Sequence, residues 1–206
     1  MKEINLEHLW KSEKTELSYN QLSEIVRNLL KIKEEREWRD QVDKKSKLRL
    51  YKKLKNKLEL EEYVIELDRE DRRQIAMLRG GTNKLRIETG RWVKKRSIIN
   101  NLHLERKVVV ASETIEERVC NVCLCREVED EWHFLLNCPR YVKERCQMFE
   151  QIRNLRVDLD WIENMDQDWQ LEILIGVGWK TNRKEIRKTV VDDIRKAYKI
   201  RNRYVK

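Results

Sequence analysis

A single proline and five glycines stand among 206 residues, so this chain carries almost nothing that breaks a helix. Proline removes a backbone donor and clashes with the preceding turn, and glycine loses the most backbone freedom on folding. Their scarcity permits long helices. The other residues push the same way. Charged residues make up 40% of the chain, against about 25% in an average globular domain. The abundant Glu, Lys, Arg and Leu are all good helix formers. A hydrophobic share of 40%, with seven Trp and six Tyr, argues against a disordered chain. The length suits one large domain or two small ones with a real core, and is too short for a polymerase with its accessory domains.

The formal net charge is +9, which suits a polyanionic partner such as RNA or DNA. Thirty-seven acidic residues are interleaved with the basic ones, so a solvated helix surface explains the excess equally well. The N-terminal residues, MKEINLEHLWKSEK, contain no apolar run of the signal-peptide kind. No stretch reaches the roughly 18–20 apolar residues of a membrane span. The expectation is an intracellular protein of the nucleus or cytoplasm, with no membrane partner. In a reducing compartment its five cysteines are thiols or metal ligands rather than disulfides.

Apolar spacing predicts the helices. Leu22, Ile25, Val26, Leu29 and Leu30 form a stripe within a helix from Asn5 to about Glu37, and Ser18 can cap its start. A second helix is expected from Lys44 to about Glu66, with Leu48, Tyr51, Leu54 and Leu58 on one face. Its first part, Lys44 to Leu60, carries eight basic residues against one acidic. This is either a basic amphipathic surface helix or a helix lying along a phosphate backbone. A third helix is expected over Arg69–Leu78, stopped by Gly80-Gly81.

Eight basic and two acidic residues follow between Lys84 and Lys107. There Arg91, Trp92, Lys94, Lys95 and Arg96 combine an aromatic ring with cations on a glycine-bounded loop. Such a set can stack a base and pair with phosphates; Trp92 can equally be a core anchor. Val108–Val110 reads as a short strand or a buried turn. Glu150–Glu172 holds seven acidic residues and two Arg, whereas Lys180–Lys206 holds eleven basic and three acidic. In the latter, Ile186, Val190, Ile194, Ala197, Tyr198 and Arg201 keep helical spacing. This C-terminal helix has a narrow apolar seam and basic flanks, which can dock on the acidic stretch, contact nucleic acid, or both.

The most specific pattern is Cys120-x2-Cys123-x9-His133-x4-Cys138. Two cysteines at C-x2-C can grip one metal from a tight turn, and a His and a Cys from the next element can close a tetrahedron. Four protein ligands leave no open position, so Zn²⁺ there would be structural. Arg118, Arg126, Arg140 or Arg145 could offset the excess thiolate charge. Cys125 is an alternative to Cys123, although the spacing favours Cys123. Cys146 is expected to be a buried thiol. Pro139 should mark the start or stop of the next helix.

Catalytic signatures are largely missing. His103-x-Glu105 followed by Cys120-x2-Cys123 imitates the zinc nucleobase deaminase pattern. Val119 replaces its proline, however, and that reading leaves His133 and Cys138 without a role. No phosphate-binding glycine loop or nucleophile elbow is present. Asp192-Asp193 resembles a polymerase acidic pair only superficially.

A wider set of motifs carries a resemblance. It comprises Lys47-Leu48-Arg49-Leu50-Tyr51, Leu78-Arg79-Gly80-Gly81-Thr82, Leu85-Arg86-Ile87-Glu88-Thr89-Gly90-Arg91-Trp92, and the E-x-H-F-L-L-x-C-P run of Glu131, His133, Phe134, Leu135, Leu136, Cys138 and Pro139. Together they resemble the C-terminal region of reverse transcriptases from non-LTR (LINE-type) retrotransposons, including the zinc-binding segment after the polymerase. The resemblance spans roughly residues 45–145. It implies a helical post-polymerase region that helps grip template RNA or target DNA, with polymerase activity in an upstream domain. The stretch from Trp92 to Cys120 is longer than usual for that family, and no nuclease pattern follows the zinc segment.

The expected fold is mainly α, a helical body with a small zinc-stapled CCHC unit. The expected segments are 1–66 (helical), 67–114 (basic helix-loop), 115–146 (zinc-binding) and 147–206 (helical, acidic then basic). The expected function is non-enzymatic, sequence-tolerant binding of RNA or DNA. Its contacts would be Arg79, Lys84, Arg86, Arg91, Trp92, Lys94, Lys95 and Arg96, with Arg195, Lys199 and Arg203 on the C-terminal helix. A helical module that binds an acidic protein is the alternative.

Overall fold

The computed structural model describes residues 18–100, 106–155, 165–176 and 183–205. They are mainly helical. Helix α1 (Tyr19–Asp43) starts with a capping box, in which Ser18 accepts from the Gln21 N–H and the Gln21 side chain accepts from the Ser18 N–H. Residues 5–17 of the expected first helix lie outside the described residues. The helix runs past Glu37 to Asp43, where Val42 is buried at its far end. Of the predicted stripe, Leu22, Ile25, Val26 and Leu29 are half-buried and Leu30 is exposed.

The single helix expected from Lys44 to Glu66 is corrected to three short pieces. They are a 3-10 turn at Ser46–Leu48, helix α2 (Arg49–Leu54) and helix α3 (Glu62–Glu66). Lys55 is extended, at φ −125° and ψ 109°, and ends α2. The reason lies in the tertiary structure. Leu50 and Leu54 bury one turn apart, whereas Leu58 stays exposed, and the chain must then turn to bury Tyr63 and Leu67. Helix α4 (Arg69–Arg79) is capped by Asp68, whose carboxylate accepts from the Glu70 and Asp71 N–H groups. It ends at Gly80-Gly81 as expected, with Gly81 at φ +60°.

After α5 (Arg86–Thr89) the basic loop expected around Lys94–Arg96 is a strand instead. β1 (Lys94–Asn100) pairs antiparallel with β2 (Arg106–Ser112), and Val108–Val110 belong to β2. The β-branched run Val108-Val109-Val110 suits the extended conformation. It supplies the antiparallel partner of Lys94–Asn100, whose Ile98-Ile99 pair is the local strand signal that the loop reading passed over.

Helices α6 (Val142–Asn154), α7 (Gln167–Ile175) and α8 (Arg183–Tyr204) complete the body. α8 is its axis, packed on α4, α6 and α7. Ile186, Val190, Val191, Ile194 and Ala197 are buried along it. Full burial of an Ile or Val contributes about 1.5–3 kcal/mol, so this seam outweighs the small differences in helix propensity along α8. The expected docking on the acidic stretch is thus one part of a wider enclosure, and Trp161 of that stretch lies outside the described residues.

Several α8 charges face inward. Arg187 is buried and pairs with Glu62 at 3.0 Å and with Glu66, which binds α3 to α8. Arg195 pairs with Asp71 of α4 at 2.6 Å. Asp192 is exposed while Asp193 is buried, so they form no joint acidic site.

Candidate metal centre and basic groove

The first two ligands of the cysteine pattern come from a small antiparallel turn. Val119 bridges Val128, the Cys120 N–H donates to the Glu127 carbonyl at 2.8 Å, and the Glu129 N–H donates to the Arg118 carbonyl at 3.0 Å. Within the turn the Val122 N–H donates to Cys120 Sγ at 3.4 Å. This contact stabilises negative charge on that sulfur. Arg126, at φ 57°, reverses the chain after the second cysteine.

The other two ligands come from an irregular helical segment. Asp130 holds its start, accepting from the His133 N–H at 2.8 Å. Residues five apart on an α-helix are rotated by about 140°, too far to share a ligand. His133–Asn137 instead form a π-type turn, and the Cys138 N–H donates to the His133 carbonyl at 2.6 Å. This wider turn brings both side chains to one point. Pro139 then starts the 3-10 turn that leads into α6.

Cys120, Cys123, His133 and Cys138 are all buried, and their ligand atoms lie within 4.8 Å of one another. Cys123 Sγ is 3.3 Å from His133 Nε2. Bond lengths of about 2.3 Å to sulfur and 2.0–2.1 Å to nitrogen give a tetrahedron with edges of roughly 3.5–3.8 Å. The donor set fits that size. His133 Nδ1 is 2.8 Å from Glu127 Oε2, which orients the ring and leaves Nε2 for the cation. Cys125 is exposed and stands outside the cluster, so Cys123 is the member from that pair. The cluster can hold a metal ion with four protein donors and no open position.

The thiols influence one another strongly. A hydrogen bond from Cys138 pulls the Cys120 thiol down to about 3, and the same contact pushes Cys138 well up. Burial disfavours charge on His133, but its bonds to Cys120 and Glu127 outweigh this and raise it. A cation bound there would replace the proton shared by Cys120 and Cys138.

The surroundings lock the cluster to the helical body. Arg140 donates to the Val122 carbonyl at 3.1 Å, and Arg145 donates to the carbonyls of Leu135 at 2.8 Å and Cys138 at 2.9 Å. Arg118 is committed to the Ile87 and Glu113 carbonyls, and Arg126 is exposed. Phe134 packs its ring on Tyr141 and on Tyr198 of α8. Cys146, expected to be buried, is exposed on the outer side of α6, because Met148 and Ile152 take the inner positions. His103 and Glu105 of the deaminase-like pattern lie outside the described residues. Its two cysteines share a four-donor cluster rather than a three-donor one.

The residues expected to meet nucleic acid divide sharply. Arg79 is corrected to an interior group. It is 1% exposed, paired with Glu61, donating to the Ile175 carbonyl at 3.3 Å and resting over the Tyr63 ring. Its position on the inner face of α4, beside Ile75 and Leu78, dictates this. Arg86 is also corrected: it is largely covered and paired with Glu113. Arg195 is spent on Asp71 and Asp192. Lys84, Lys199 and Arg203 are exposed. Lys94, Lys95 and Arg96 belong to β1.

Trp92 is 82% exposed and is not a core anchor. It borders a groove of about 790 Å³ that is also lined by Lys44, Lys45, Lys47, Thr82 and Arg91. The groove is built tightly. A Cβ on Gly81 would lie 2.2 Å from the Lys47 carbonyl oxygen, so only glycine lets the two turns meet. Arg91 donates to Ser46 Oγ at 3.1 Å and pairs with Glu88 at 3.1 Å, which neutralises the groove's carboxylate. Among the described residues no carboxylate pairs with Lys44, Lys45 or Lys47.

Sequence reasoning marked the charge of Lys44–Leu60 but missed that its first lysines line one groove with Trp92, a juxtaposition made only by the tertiary fold. It also missed Glu127 and Asp130. The acidic run between the C-x2-C and the histidine was the available signal for both. Compared with protein families, with curated proteins and with solved structures, the chain matches none of them.

Proposed function

We propose that this chain is a nucleic-acid-binding module whose architecture is stapled by a structural Zn²⁺ at Cys120, Cys123, His133 and Cys138. It would act as an accessory to an upstream polymerase domain, as its resemblance to the post-polymerase region of LINE-type reverse transcriptases implies. Three thiolates and one imidazole form a soft donor set that suits zinc. The closed coordination suits a structural rather than a catalytic ion. The place of action would be the nucleus or cytoplasm.

The observation that carries the binding reading is the groove at Trp92. Three lysines without described carboxylate partners and one exposed indole converge there from positions 44–47 and 92. Cations on a groove wall attract phosphates, and their release of counterions makes binding fall steeply with salt.

The test is the affinity for mixed-sequence nucleic acid measured across a salt series. A linear fall of log K with log salt, with a slope of several units, supports the reading. Absence of binding at low salt, with metal bound and the chain folded, overturns it. It would also favour the helical protein-interaction module as the function.

A further inference from the structure

We infer that the Trp92 groove takes a single strand of nucleic acid, with one unstacked base on the indole and adjoining phosphates on Lys44, Lys45 and Lys47. The inference rests on the binding reading above and narrows its substrate class.

Trp92 ends the short turn Gly90–Trp92 and is 82% exposed. Exposing so large an apolar ring is unfavourable in water, and a stacked base would cover it. Inside a duplex each base already has neighbours on both faces. Only a single strand, or a base pulled from the stack, offers a free π-face.

The cations are arranged to suit a strand beside that base. Lys44, Lys45 and Lys47 lie within four consecutive positions, a reach of at most about 10 Å. They border the same groove as Trp92 and are held against it by the Gly81 contact. Lysine acts as a point charge and reads no base. Thr82 and Arg91 add polar groups to the wall, but Arg91 is held by Ser46 and Glu88. The groove therefore favours strand geometry and stacking over sequence. RNA and DNA strands share the chemistry it recognises.

The probes are mixed-sequence single strands of about 16 nucleotides, one RNA and one DNA, and the matching DNA duplex. Each is titrated into the metal-loaded full chain. The strands are expected to bind at least tenfold more tightly than the duplex. Trp92→Ala should weaken strand binding by roughly 5- to 100-fold, the loss typical of one stacking platform, and Trp92→Phe should keep most of it. Because Trp92 is exposed, the variants should melt with the wild type. Equal or tighter duplex binding, or strand binding indifferent to Trp92→Ala, overturns the single-strand inference and leaves the binding reading standing. No binding of any probe overturns both. A preference between the RNA and DNA strands identifies the source of the strand.

Discussion

Arg201, close to the end of α8, donates Nε and one Nη to the two carboxylate oxygens of Glu129, at 2.7 and 2.8 Å, and both side chains are buried. Glu129 also accepts from the Arg86 N–H at 2.8 Å, and its own N–H donates to the Arg118 carbonyl at 3.0 Å, two residues before Cys120. One residue thus joins the C-terminal helix, the basic segment and the cysteine turn. Removing one partner leaves a buried charge unpaired, which costs about 3–5 kcal/mol. Arg201→Met or Glu129→Met should each lower stability by that amount in urea unfolding. The double variant should lose less than the two losses added together. Strict additivity would show that the pair does not couple.

Gly81 is the second structural dependency. Its φ of +60° and its approach to the Lys47 carbonyl exclude any Cβ. Gly81→Ala should cost about 2–4 kcal/mol, from left-handed strain plus the displaced turn. It should also weaken strand binding, because Lys47 moves with that turn. Thermal unfolding and titration with the strand check both effects. A variant of wild-type stability would contradict the close approach.

The lysines set the salt dependence. Replacing Lys44, Lys45 and Lys47 together by Gln should reduce the salt slope for a single strand by about 2 units, since each phosphate that a lysine neutralises adds roughly 0.7. The melting temperature should hardly change, since all three are exposed. An unchanged slope would place the phosphate-binding cations elsewhere.

Asp193 gives a pH signature. Burial pushes its carboxyl up to about 6, although the Arg145 and Lys196 charges pull it down; Glu144 acts with the burial. The unfolded chain releases that proton near 4. Between these values the folded state binds more protons, so this residue's contribution to stability falls as pH rises from about 4 to about 6. Asp193→Asn should therefore stabilise the protein by about 1–3 kcal/mol at pH 7, with the gain shrinking towards pH 5. The readout is the difference between variant and wild type across pH, which cancels effects common to both, such as ligand protonation. A gain that grows on acidification would contradict it.

The features that proved legible in the sequence are local ones. Ser18 with Gln21, and Gly80-Gly81 after Leu78, announce helix ends within a few residues of themselves. The C-x2-C and H-x4-C spacings likewise need only short turns to converge, and Cys120, Cys123, His133 and Cys138 do converge. The rest depends on partners distant along the chain. Arg79 and Arg187 look like surface cations until Glu61, Glu62 and Glu66 are brought beside them. Lys94–Arg96 looks like a basic loop until β2 pairs with its strand. The helix expected through Lys55 breaks because Tyr63 and Leu67 need burial, a demand of the core rather than of local propensity. Even the π turn that brings His133 to Cys138 is hidden, since its residues would read as an ordinary helix.

The cysteine–histidine cluster is the claim on which the architecture rests, and metal content tests it most directly. The purified chain should carry one zinc per molecule, retained by Cys125→Ser and lost by Cys138→Ser. Chelation should release it and lower the melting temperature of the chain, because metal binding and folding are linked. A chain free of metal that melts at the same temperature before and after chelation would contradict the account and leave four buried side chains that merely pack together.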